Sequence, residues 1–286
     1  TDKIKIYKQR YVMLIELLKA AFLGIVEGIT EWLPVSSTGH MILVDEFIHL
    51  NVSEDFKNLF LVVIQLGAIL AVVMIYWKKI FPFKIEKGKI KTDKDIWIMW
   101  FKVVVSCLPA AVVGILFDDK IDRLFYNWQT VSAMLIIVGI VFLLVENRGA
   151  RRFTTNSIDD ITLAQAFWIG MFQLVAAIFP GTSRSGATII GGVLLGVSRT
   201  VAAEYTFFLA IPVMFGRSLL KILKFGLVFT GAELLILRVG CITAFVVSVV
   251  AINSFMDYIK KHDFKVFGIY RIILGLSVFA YFYLIK

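Results

Sequence analysis

Charge is scarce in this chain. Only 18% of its 286 residues are Asp, Glu, Lys or Arg, while 59% are apolar and 14% aromatic, and the mean hydropathy is +0.85. Soluble domains carry about 25% charge and about 45–50% apolar residues, so a soluble globular fold is excluded, as are a disordered tail and a collagen-like fibre. Cysteine is equally sparse. Cys107 and Cys241 both lie inside apolar runs, make no disulfide framework and say nothing about redox compartment. Segments of roughly ten alternating residues, the mark of an outer-membrane barrel, are missing too. The apolar stretches run to about twenty residues, the length that crosses a bilayer as a helix, so the fold class is an all-α polytopic membrane protein.

Acidic residues are the minority charge, 21 against 30 Lys and Arg, for a net charge of +9. Most of the basic residues fall between apolar runs, where they mark cytoplasmic loops and touch lipid headgroups. No recognised binding motif accompanies them, so membrane lipids are expected partners and nucleic acid is not. The basic first ten residues lead into a segment with internal carboxylates, unlike the apolar core of a cleavable signal peptide.

Candidate spans cover residues 58–77, 96–117, 129–145, 161–183, 201–216, 239–256 and 264–285. The first apolar segment, 11–44, is too long for one crossing and contains Glu27, Glu31, Pro34 and His40. Short loops imply one membrane domain over 1–286.

The chain also repeats itself. Gly24-Ile25-Val26-Glu27 through Pro34-Val35-Ser36-Ser37 aligns with Gly170-Met171-Phe172-Gln173 through Pro180-Gly181-Thr182-Ser183, and Asn51-Val52-Ser53 echoes Gly196-Val197-Ser198. The two repeats span about 11–146 and about 161–286. Loop charge bears on their orientation. Residues 78–95 hold seven Lys against three acids, 148–160 three Arg against two Asp, and 257–265 three Lys against two Asp, all cytoplasmic in character; 118–123 is acidic. Placing 257–265 inside requires each motif segment to enter and leave the membrane on one side, a re-entrant pair, which makes the repeats inverted and leaves the basic N-terminus outside.

Glu27 and Glu31 share a helix face about 6 Å apart. Carboxylates at membrane depth cost about 3 kcal/mol or more and mark function. In Pro34-Val35-Ser36-Ser37-Thr38-Gly39-His40 the proline stops one helix and the hydroxyls can cap a second, a break tolerated only against protein or a wet cavity. The second copy, Pro180-Gly181-Thr182-Ser183-Arg184-Ser185-Gly186-Ala187-Thr188, combines small residues, hydroxyls and a helix N-terminus with the planar fork of Arg184, which suits a phosphate. Gln173 and Ala177 stand where the first copy has the glutamates, and Arg184 falls over Thr38. One half offers carboxylates, hydroxyls and a histidine; the other offers a cation and an anion cradle. That division suits phosphoryl transfer.

Both motifs resemble the signature motifs of the undecaprenyl-diphosphate phosphatase family, the bacitracin-resistance membrane proteins of bacteria, and the resemblance extends through Gln65-Leu66-Gly67 and Gly196-Val197-Ser198-Arg199. It implies re-entrant pairs in inverted repeats, a site open to the outer face of the inner membrane, and hydrolysis of undecaprenyl diphosphate to recycle the cell-wall lipid carrier. It also implies a divalent cation, Mg²⁺ or Ca²⁺.

On this reading Ser37 is the nucleophile, His40 the general base and acid, and Arg184 the clamp on the transferring phosphoryl group; serine and histidine could exchange roles. Glu27 and Glu31 bind the metal or orient His40. Ser36, Thr38, Gln65, Thr182, Ser183, Ser185 and Gly186 are the expected substrate contacts. A homodimer is left open. The competing class is a transporter of a polyprenyl phosphate or small anion, which uses inverted repeats and broken helices but needs no nucleophile–base pair.

Overall fold

The computed structural model describes residues 2–86, 89–148 and 153–285. Ten helices and one small hairpin appear among them: α1 (Asp2–Thr30), α2 (Ser37–Phe47), α3 (Glu54–Ile80), β1 (Phe83–Glu86), β2 (Lys89–Thr92), α4 (Lys94–Phe125), α5 (Trp128–Asn147), α6 (Leu163–Ile178), α7 (Arg184–Leu194), α8 (Arg199–Phe225), α9 (Gly231–Ile259) and α10 (Lys265–Leu284). Six of these, α3, α4, α5, α8, α9 and α10, are long and apolar enough to cross a membrane. Six of the expected spans therefore stand with shifted ends, and the chain is a multi-pass membrane protein; 161–183 is not a single span, because α6 ends at Ile178 and a break follows it. The antiparallel hairpin between α3 and α4 has no counterpart in the apolar runs read above.

The first apolar segment and 161–183 become broken pairs. At about 1.5 Å per residue, the 11-residue helices α2 and α7 are about 16 Å long, half a bilayer. Each follows a longer helix, α1 or α6, after a non-helical break.

The halves interlock. Helix α1 packs along α9 and α6 packs along α4, while α3 meets α8 and α5 meets α10. Small residues allow the close approaches that hold helices together in lipid, where apolar burial gives little drive. A Cβ on Gly24 would lie 2.6 Å from the Gly240 carbonyl of α9, and one on Gly170, the matching position, would collide with the Ser106 carbonyl of α4. Lys19 of α1 donates to the His49 carbonyl, and Gln165 of α6 donates to the Leu195 carbonyl, matching anchors with the same displacement along the chain. Helices α3 and α8, and α5 and α10, run antiparallel. Val62 meets Ser218 at one end of α3 and Lys79 meets Glu204 at the other; Gly139 lies against Gly268 while Ser132 lies against Gly275.

Candidate active site

Both breaks end in the same strained turn. Ser36 (φ 74°) and Ser183 (φ 68°) are the non-glycine residues with positive φ among those described, a conformation costing about 1–3 kcal/mol and concentrated at functional sites. Each serine caps the helix that follows: Ser36 Oγ accepts from the Gly39 amide at 3.3 Å and Ser183 Oγ from the Gly186 amide at 3.1 Å. The shared cap corrects the alignment by one residue. Ser37 and Arg184, the first residues of α2 and α7, are equivalent, so Arg184 stands over Ser37 rather than Thr38. The second copy is one residue longer from its glycine to its cap, 13 positions from Gly170 to Ser183 against 12 from Gly24 to Ser36.

Glu31, in the turn closing α1, joins these two positions. Its Oε2 accepts from Ser37 Oγ at 2.8 Å, and its Oε1 accepts from Arg184 Nη2 at 3.0 Å. The second Arg184 arm donates to the Thr206 carbonyl of α8 at 2.9 Å. Two helix N-termini, each the positive end of its macrodipole, thus converge on a hydroxyl, a guanidinium and the carboxylate between them. Around this centre, Ser185 Oγ donates to the Glu31 and Leu33 carbonyls and lies 3.1 Å from Ser183 Oγ. Thr188 Oγ1 meets Thr206 Oγ1 at 2.8 Å.

His40 is placed differently from the expectation. Its Nδ1 lies 2.8 Å from the Ser36 carbonyl and its Nε2 lies 2.7 Å from the Tyr270 hydroxyl, with the two rings stacked. A carbonyl only accepts, so Nδ1 carries the proton and Nε2 accepts from Tyr270. In this arrangement the acceptor for the Ser37 proton is Glu31. Glu27 lies one turn back, 1% exposed, its Oε1 without a hydrogen-bond partner and with the Gln65 side chain beside it. The Thr182 hydroxyl and the amide of Gln173 are also buried without a partner. Thr38 is half-buried on the first turn of α2.

A cation at this centre finds only part of the donor set read from the sequence. Among the described residues no group of three acidic, His or Cys side chains comes together, and both Glu31 oxygens are engaged. Glu27 Oε1, a buried carboxylate oxygen with no partner, fits a hard cation that completes its shell with an amide oxygen and phosphate oxygens.

The family pattern described as bacitracin resistance protein BacA matches residues 20–277. The chain is 64% identical over 270 residues to the undecaprenyl-diphosphatase of Desulfitobacterium hafniense, covering 94% of this chain and 97% of that one. It is 63% identical over 272 residues to undecaprenyl-diphosphatase 1 of Clostridium acetobutylicum, covering 95% and 99%. The chain belongs to the BacA family. The site draws on residues from both halves of the chain, some of which the sequence reading passed over.

Arg271 is the largest of these. It is fully buried on α10 and donates to the carbonyls of Pro34 (3.2 Å), Gly181 (2.7 Å), Thr182 (2.9 Å) and Met134 (3.5 Å). One guanidinium therefore fastens both helix breaks of this BacA-family chain. A lone arginine within the apolar run 264–285 was its visible signal. Tyr270 and Thr206 carried none, being ordinary residues of apolar helices. Arg199 pairs with Glu146 and sits over the Phe153 ring, fastening the far ends of α5 and α8 away from the site.

Proposed function

We infer that this protein is an integral membrane phosphatase that hydrolyses undecaprenyl diphosphate to undecaprenyl phosphate and inorganic phosphate, recycling the lipid carrier of cell-wall synthesis. The observation carrying this reading is the Glu31 bridge between Ser37 and Arg184. A transporter of anionic lipid needs an anion cradle; it has no use for a hydroxyl hydrogen-bonded to a carboxylate beside one.

Ser37 Oγ attacks the terminal phosphorus while Glu31 Oε2 takes its proton. Arg184 and the amides opening α2 and α7 stabilise charge on the equatorial oxygens. The bond to the bridging oxygen breaks, undecaprenyl phosphate departs, and a phosphoserine remains. Glu31 gives the Ser37 proton to the departing undecaprenyl phosphate. Water then attacks the phosphoserine phosphorus while Glu31 takes one of its protons, the P–Oγ bond breaks, Glu31 returns the proton to Ser37 Oγ, and inorganic phosphate leaves. Because Arg184 already holds Glu31, the incoming phosphate exchanges one anion for another on the same fork and frees the carboxylate to act as base. His40, held in turn by the Tyr270 hydroxyl, donates to the Ser36 carbonyl and with it holds the strained turn presenting Ser37. When bound, Mg²⁺ or Ca²⁺ would neutralise diphosphate charge, and Glu27 and Gln65 would hold it.

The site is read as open to the outer face of the inner membrane, with the halves inverted. The antiparallel pairing of α3 with α8 and of α5 with α10 supports inversion, and the basic loops at 78–95 and 257–265 support a cytoplasmic opposite face. The test is phosphate release from undecaprenyl diphosphate by purified protein, with trapping of a labelled phosphoserine. No release, or label on His40 instead of Ser37, would overturn respectively the activity and the assignment of the nucleophile.

A further inference from the structure

Arg217 has no part in the chemistry above, yet it lies on the same helix as Thr206, one of the site's contacts. On α8 the positions Thr206, Ala210, Val213 and Arg217 follow one another at helical spacing and share a face. The Thr206 end of that face is fixed at the phosphoryl site by its contacts to Arg184 and Thr188. Arg217 lies about 16 Å further along the axis, within reach of its long side chain from the levels between. Next to it, Ser218 Oγ donates to the Val62 carbonyl at 3.2 Å, seating this turn against the stretch of α3 that carries Gln65. Helix α1 runs antiparallel to α8. Trp32, just after α1, meets Phe207 edge to face, while Leu17 and Leu23 share an apolar cluster with Ile222 and Phe225. Moving from Glu31 back to Glu27 therefore leads towards Arg217, and Arg217 and Arg184 are the cations in electrostatic range of Glu27. Arg217 is exposed and Lys221, one turn on, is half-buried.

A diphosphate headgroup presents two phosphates at different depths, and a second cation can hold the one that Arg184 does not. We propose that Arg217 is a specificity residue holding the lipid-linked phosphate while Arg184 holds the phosphate to be transferred, with Lys221 drawing the headgroup in. This rests on the phosphatase reading and adds what distinguishes a diphosphate from a monophosphate. A substrate so held is anchored before and during transfer alike, so Arg217 contributes uniform binding, which appears in KM.

Arg217→Gln and Arg217→Lys are compared with the parent protein. The glutamine variant raises KM for undecaprenyl diphosphate about tenfold, the size of one charge-assisted contact, and leaves kcat within about twofold. It weakens inhibition by inorganic diphosphate to the same extent and leaves inhibition by inorganic phosphate unchanged; lysine restores most of the loss. A fall in kcat at unchanged KM and unchanged diphosphate inhibition would overturn the proposal and make Arg217 a counter-ion of Glu27. So would a variant identical to the parent. Thermal stabilisation of the purified protein by inorganic diphosphate needs no turnover. Loss of that stabilisation in Arg217→Gln supports the phosphate contact even if the parent released no phosphate, a result that would overturn the phosphatase reading alone.

Discussion

Replacing Glu31 by Gln is the sharpest perturbation this site allows, because it keeps the side chain's shape and removes its charge. The carboxylate accepts from Ser37 at 2.8 Å and from Arg184 at 3.0 Å while only 7% exposed. The amide still has one acceptor oxygen, so it can keep one of those contacts and must turn an NH₂ towards the other. If it keeps Arg184, the Ser37 hydroxyl loses its proton acceptor. General-base catalysis of this kind supplies about 10²- to 10⁴-fold. The weakened hold on Arg184 adds part of a charge-assisted hydrogen bond, about 1.5–3 kcal/mol when whole. We expect kcat for undecaprenyl diphosphate to fall at least about a thousandfold, with KM changed by no more than a few fold, since Arg184 remains free for substrate. The assay is phosphate release in detergent, with single-turnover labelling to isolate formation of the phosphoenzyme. His40→Asn, made in parallel, should keep more activity than Glu31→Gln, because His40 is bonded to Ser36 and Tyr270 and not to Ser37. Glu31→Gln within tenfold of the parent, alongside a thousandfold loss in His40→Asn, would refute the reasoning and give the proton to the histidine.

Three further outcomes follow from the same geometry. Glu27→Gln should raise the Mg²⁺ or Ca²⁺ concentration for half-maximal activity, whereas Glu31→Gln should slow turnover at an unchanged metal midpoint; a titration in which Glu27→Gln leaves the midpoint in place removes Glu27 as a ligand. Arg271→Met should lower the thermal midpoint and abolish turnover together, because two helix breaks lose their common donor, with Arg271→Lys recovering little since a point charge cannot span carbonyls from separate segments. Normal stability in Arg271→Met would show that the breaks hold themselves. A cysteine at position 119 should label with an impermeant thiol reagent from outside, and one at position 261 only after permeabilisation; external labelling at 261 would restore parallel repeats.

Most of the fold was legible because its signal is local. Runs of apolar residues such as 58–77 and 239–256 needed only counting, and α3 and α9 surround them. The broken pairs were legible for the opposite reason: Pro34 and Pro180, with hydroxyls and small residues in apolar surroundings, cannot continue a helix. What remained hidden depends on contacts between distant segments. Glu31 was visible as a buried carboxylate, but its role as a bridge depends on Arg184 arriving from the other half. Orientation was also beyond reach, since a spacing of three residues between Ser37 and His40 suggested a pair, whereas the φ of 74° at Ser36 turns the histidine to Tyr270. The repeat was read one residue out of register at Arg184 because sequence identity aligned the prolines while geometry aligns the caps.

The exchange of partners between the halves bears on how the chain is made. Helix α1 leaves the ribosome before α9, yet the groove that receives it is on α9, which is complete only when residue 259 has been synthesised. Until then Gly24 and Gly28 face lipid, and the carboxylates of Glu27 and Glu31 lack Arg217 and Arg184. The first re-entrant pair, complete at Phe47, therefore waits until Ile259 for its partner helix. A half expressed alone would hold an open seam where its partner belongs, and two halves made as separate chains would have the complementary seams needed to assemble.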